Sequence, residues 1–112
     1  KIMTVTEVPT LEFDDQTFVL QFGKYRNNSI AIFLETMEME PYMCATVFVP
    51  EFEYGPHDVT IKNYSENKGV LEALINQGYL KQSWCRIPTG YTKVHACCIT
   101  EKTLNFIKSR QL

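Results

Sequence analysis

The stretch from Asp58 to Leu80, DVTIKNYSENKGVLEALINQGYL, decides the fold class. Its opening residues alternate, with Val59 and Ile61 on one face, which is the period of a half-buried strand. Ser65 then stands where an N-cap belongs, and Glu66 where an acid complements the helix dipole. Val70, Leu71, Leu74 and Ile75 form one apolar stripe at helical spacing, and Gly78 is placed to end the helix in a left-handed conformation. The spacing predicts a strand followed by an amphipathic helix over about 66–77. No catalytic signature lies inside it.

Upstream, the chain reads as strands. Phe18, Leu20 and Phe22 alternate with Thr17, Val19 and Gln21, while residues 29–34 and 42–49 are apolar on both sides. Two-sided burial of that kind marks central strands covered on part of each face. Asp14-Asp15, Asn27-Asn28 and the Glu38–Pro41 stretch separate these runs with residues suited to tight turns. An antiparallel meander of about four strands follows. Pro50 ends the fourth, and Glu51 to His57 forms a loop around Gly55-Pro56.

Downstream, residues 82–87 and 92–99 read as two more strands across Pro88-Thr89-Gly90. Thr100 is positioned to cap a short closing helix over about 101–109, with Leu104 and Ile107 inward. The expected fold is α+β: a mostly antiparallel β-sheet meander with two helices packed on it. Residues 1–112 make one domain, long enough to bury a core without disulfide or metal staples.

No window reaches the roughly 20 apolar residues of a membrane span, so no membrane partner is expected. The opening KIMTVTEVPT carries no apolar stretch of the signal-peptide kind, and Lys1 in first place suggests processing or trimming. Neighbouring Cys97 and Cys98 would point to opposite faces of a strand, a poor layout for a shared bridge. With Cys44 and Cys85 they read as reduced, small buried hydrophobes of a cytoplasmic protein.

The charge is unevenly laid out. Residues 1–60 carry three basic and ten acidic side chains; residues 61–112 carry eight basic and three acidic. Alternate turns of a meander fall at the same end of the sheet. The Asp14-Asp15 and Glu38–Glu40 turns should therefore share one end, with Glu12 and Glu35 flanking them. Six carboxylates gathered there would favour a basic partner surface. The bland alternative is that these are solvated turns carrying charge for solubility. The later bases are scattered and the isoelectric point is near 5.7, so direct nucleic-acid binding is not expected.

His95 and Cys97 share a strand face, and Cys85, His95, Cys97 and Cys98 cluster in sequence. A small thiol- or metal-dependent enzyme is the alternative they offer, but a Cys-x-x-Cys knuckle and a nucleophile signature are both missing. Ser65-x-x-Lys68 stands without its partner motifs, and the five glycines make no phosphate loop. No enzyme, catalytic residue, metal or cofactor is assigned. Aromatic residues mark binding hot spots, and Tyr54, in the Glu51–His57 loop, is the expected exposed anchor.

Three strings carry a resemblance: Phe22-Gly23-Lys24-Tyr25 with Asn27–Ile32, Glu40-Pro41-Tyr42 leading into Ala45-Thr46-Val47, and Lys62–Leu71 with its Tyr-Ser-Glu-Asn core. Together, from about Phe18 to Leu80, they resemble a family of small bacterial proteins of unknown function carried on conjugative elements and prophages. The part after Gly90 departs from that pattern. The resemblance implies no catalytic residues. It implies a mobile-element setting, one rich in proteins that block host defence nucleases. The expected function is a non-catalytic protein-binding accessory, with inhibition of a CRISPR or restriction nuclease as its sharpest form. Glu12, Asp14, Asp15, Glu35, Glu38, Glu40 and Tyr54 would make the contact.

Overall fold

The computed structural model describes residues 8–90 and 92–109. Among these residues seven strands form two antiparallel sheets, joined by two helices in an α+β arrangement. The first sheet is the expected meander, in the order β1 (Thr10–Phe13), β2 (Gln16–Lys24), β3 (Ile30–Thr36), β4 (Pro41–Cys44). The second contains β5 (Asp58–Ile61), β6 (Cys85–Thr89) and β7 (Thr92–Cys98), with β7 central. Helix α1 spans Val70–Asn76 and α2 spans Glu101–Ser109.

The hairpins follow from their turn residues. Asp14 and Asp15 both adopt positive φ, 55° and 62°, the left-handed pair that a two-residue hairpin with the native strand twist requires. Asn28 is at φ 70°, and the Asn27 side chain accepts from the Ser29 amide and hydroxyl at 3.0 and 2.6 Å. Thr89 pairs with Thr92, so Pro88 and Thr89 belong to β6 and Gly90, at φ 70°, begins the turn proper.

The single sheet and the long fourth strand expected from sequence are not what forms. Residue pairing with β3 stops at Cys44 and the chain crosses to the second sheet, where Thr46 bridges Ile61. Ala45 serves both sides: its amide donates to Ile32 at 2.8 Å and its carbonyl accepts from Lys62 at 2.9 Å. A run that is apolar on both faces fits this crossing as well as a central strand, because each part is buried against a different sheet.

The expected continuous helix over about 66–77 is also divided. Ser65–Asn67 makes a single 3₁₀ turn, Lys68 turns extended at ψ 127°, and α1 restarts after Gly69 at φ 97°. Ser65 is exposed at φ 56° and contributes no capping side chain, so its predicted N-cap role is corrected. The cap is Asn63. Its side-chain oxygen accepts from the Gly69 and Leu71 amides, each at 3.0 Å, meeting the orphan donors at the start of α1. Asn63→Ala should therefore cost about 1–2 kcal/mol in urea unfolding, against under about 0.5 kcal/mol for Ser65→Ala.

Gly78 ends α1 as predicted, at φ 87°. The Tyr79 amide reaches back to the Leu74 carbonyl at 2.8 Å and the Gly78 amide to Ile75 at 3.1 Å, the paired bonds of a left-handed helix terminus. Thr100 caps α2, accepting from the Thr103 amide at 3.3 Å, while its hydroxyl donates to the Gly78 carbonyl at 2.6 Å. Leu104, Phe106 and Ile107 are all half-buried against the core.

One core runs between these elements. Leu11, Phe18, Leu20, Ile32 and Leu34 line the inner face of the first sheet, and Val59, Ile61 and Cys97 one face of the second. Val70, Leu71 and Leu74 of α1 close the space between them, each worth about 1.5–3 kcal/mol of burial. The outer edge of β1 is covered by side chains. The Gln77 amide pairs with Glu12 as a strand would, donating to its carbonyl at 2.8 Å and accepting from its amide at 2.9 Å. The Tyr79 hydroxyl donates to the Thr10 carbonyl at 2.7 Å. An edge occupied in this way is closed to further strand addition.

Candidate functional site

Strand pairing fixes where the acids lie. Both the Asp14-Asp15 turn and the turn over residues 37–40 close the same end of the first sheet. Glu12 pairs with Thr17 and Glu35 with Val19, so both sit on the outer face, opposite Phe18 and Leu20. Two polar neighbours fix them: the Thr17 hydroxyl lies 2.7 and 2.9 Å from the Glu12 carboxylate oxygens, and the Gln21 amide donates to Glu35 at 3.2 Å. Asp14, Asp15, Glu38 and Glu40 are exposed at the tips. The one ion pair among the described residues is Lys62–Glu66, so none of the six acids is paired with a described base.

Apolar side chains accompany these acids. Met37 is 58% exposed and Met39 73%, in the same turn as Glu38 and Glu40. Phe33, on the outer face beside Glu35, is exposed and lies across Gly23, where an added Cβ would come within 3.3 Å of its ring. Tyr42 is exposed too, with its ring centroid 4.4 Å from that of Phe18. Between β3 and β4 a shallow groove of about 400 Å³ is lined by Phe33, Glu35, Tyr42 and Met43. Exposed, polarisable methionines together with exposed aromatic rings are the composition of an adaptable contact surface. The signal in the sequence was the alternation Met37-Glu38-Met39-Glu40, which reads as a turn and hides that both methionines face water.

Tyr54 is not the exposed anchor expected from sequence. Its ring stacks on Phe48 at 5.9 Å and meets Phe52 edge-on at 4.8 Å. Its hydroxyl accepts from the Val49 amide at 2.9 Å and lies 2.8 Å from the Thr60 hydroxyl, which itself donates to the Val47 carbonyl. The 48–56 loop thereby covers the face of the second sheet opposite α1. An aromatic in a polar loop looks exposed until the sheet beneath it is known. The exposed ring here is Trp84, 55% accessible and packed on Phe52 at 5.8 Å.

The sulfur and imidazole groups of the final ribbon divide between two faces. His95 and Cys97 lie on the α1 side of the second sheet, paired with Ile61 and Val59. Cys98 lies on the other face, and so does Cys85, which pairs with Ala96. The Cys98 thiol donates to the Asp58 carboxylate at 3.2 Å, and burial followed by that carboxylate raises its pKa. Cys97 is fully buried, and burial pushes its thiol up to about 12. Neither is poised as a thiolate. Among the described residues no three His, Cys, Asp or Glu side chains group closely enough to hold a metal. None of the described helices is long and apolar enough to cross a membrane.

Burial raises the Tyr25 phenol in the same way, to about 12 from 10.0. Folded Cys97 and Tyr25 thus keep protons that the unfolded chain would release from about pH 9 and pH 10. Their stabilisation is complete below those values and lost as pH rises toward 12. The urea midpoint should fall progressively above pH 9, and Cys97→Ala and Tyr25→Phe should each flatten that fall.

No family model, curated protein or solved structure matches the chain.

Proposed function

We propose that this protein is a non-catalytic binding accessory that engages a basic protein surface through the acidic end and outer face of its first sheet. One observation carries the reading: six carboxylates on two turns and two strands, in no ion pair among the described residues, share this end and face of the sheet with exposed Phe33, Met37 and Met39. Exposed apolar side chains accompanied by charges suit a protein contact, where the apolar part supplies affinity and the charges supply steering and register. The burial of Cys97 and the separation of His95 from Cys85 and Cys98 argue against the thiol- or metal-enzyme alternative.

The resemblance to proteins of conjugative elements and prophages gives the partner its class. A CRISPR or restriction nuclease presents a basic nucleic-acid channel, and a domain offering a group of carboxylates would occlude it. The test is DNA cleavage by purified nucleases of each kind with the protein present. Inhibition that is relieved by raising the salt or by removing the acids supports the reading. Unimpaired cleavage by all of them removes the nuclease, and inhibition indifferent to both manipulations removes the acidic surface.

A further inference from the structure

A second, polar cleft lies away from that surface. It occupies about 320 Å³ between α1 and the second sheet, in the size range of small-ligand pockets. Arg86 and His95 are cross-strand partners, so both side chains rise from the sheet wall on the α1 side. Glu72 lines the cleft from α1, where the Asn63 amide holds its carboxylate at 3.3 and 3.4 Å. Leu71 and Ile75, one turn of α1, give it an apolar floor, and Ser83 adds a hydroxyl.

The acid and the base bordering this space do not meet. Glu72 and Arg86 form no ion pair, although both border one cleft. Each would gain from a partner of opposite charge, and a single molecule carrying an ammonium and a carboxylate supplies both. We propose that the cleft binds a small zwitterion of amino-acid or dipeptide size. Its ammonium lies on Glu72, its carboxylate on Arg86 beside His95, and its side chain over Leu71 and Ile75. A simple anion is disfavoured by Glu72 and a simple cation by Arg86, so the class is set by both walls together.

The test follows backbone amide shifts of Glu72, Ser83 and Arg86 by NMR during titration with L-leucine and with glycyl-leucine. L-leucinamide lacks the carboxylate and N-acetyl-L-leucine lacks the ammonium. The expected result is a saturable shift with leucine or the dipeptide, about tenfold weaker with either blocked analogue, as for the loss of one charge-assisted bond. Glu72→Gln and Arg86→Gln, both at exposed positions that leave the core intact, should weaken binding by about the same factor. Shifts that fail to saturate with both probes, equal responses to the blocked analogues, or unchanged binding by both variants would each overturn the proposal.

Discussion

Phe18→Ala is expected to remove about 3–5 kcal/mol of stability, the largest effect of any single substitution considered. Phe18 is fully buried near the start of β2, with Leu11 opposite it on β1 and Thr36 on β3. Its ring lies between those of Phe13, at 6.4 Å, and Tyr42, at 4.4 Å. Truncation leaves a cavity walled by two strands that cannot approach each other without breaking their ladder. The cost is therefore transfer energy plus an unrelaxed void. Domains of this size have about 5–15 kcal/mol in total, so the variant should sit near its unfolding threshold at 37 °C. Phe33→Ala, on the opposite face of the same sheet, is the control and should cost under about 1 kcal/mol. Urea unfolding followed by far-UV circular dichroism reads both. Equal losses would mean that the two faces of the sheet are wrongly distinguished.

These two phenylalanines also show how far the sequence could be read. Period-two alternation around Phe18 gave its face directly, because a half-buried strand writes its environment into every second residue. Asp14-Asp15, Gly78 and Thr100 were equally legible, since each answers a local demand on φ or on an orphan amide. The features that escaped depend on distant partners. Asn63 caps a helix from six residues upstream of its Gly69 contact, across an intervening 3₁₀ turn. Residues 45–47 change sheets, and an apolar run carries no mark of which sheet buries it. Tyr54 depended on Thr60 of a strand that follows it. For the acidic end, the meander order sufficed to bring the turns together. The exposed methionines and Phe33 that complete the surface depend on an outer face that no described helix covers, and nothing in a local stretch of sequence marks that.

Removing the acidic tips should weaken binding to a basic partner by about two to three orders of magnitude. The variant must leave the hairpins intact. Asp14 and Asp15 occupy left-handed φ, which asparagine tolerates and lysine does not, so both are changed to Asn. Glu38 and Glu40 lie outside that region and can be reversed to Lys. The combination carries the formal net charge from −2 to +4, two single-charge removals and two reversals. Each margin charge is worth about 0.2–1 kcal/mol against an opposite neighbour, and reversal adds a repulsion of similar size. Together these amount to about 3–4 kcal/mol. Most of the loss should appear in the association rate, because the tips act before Phe33, Met37 and Met39 are in contact. Raising salt should slow association of the unaltered protein toward that of the variant, as screening shortens the reach of its charges to about 8–10 Å. Phe33→Ala should act instead on dissociation. Surface plasmon resonance on the inhibited nuclease separates the two. If the charge variant associates as fast as the parent at low salt, the acidic turns are solubilising only, and contact must be sought elsewhere on the chain.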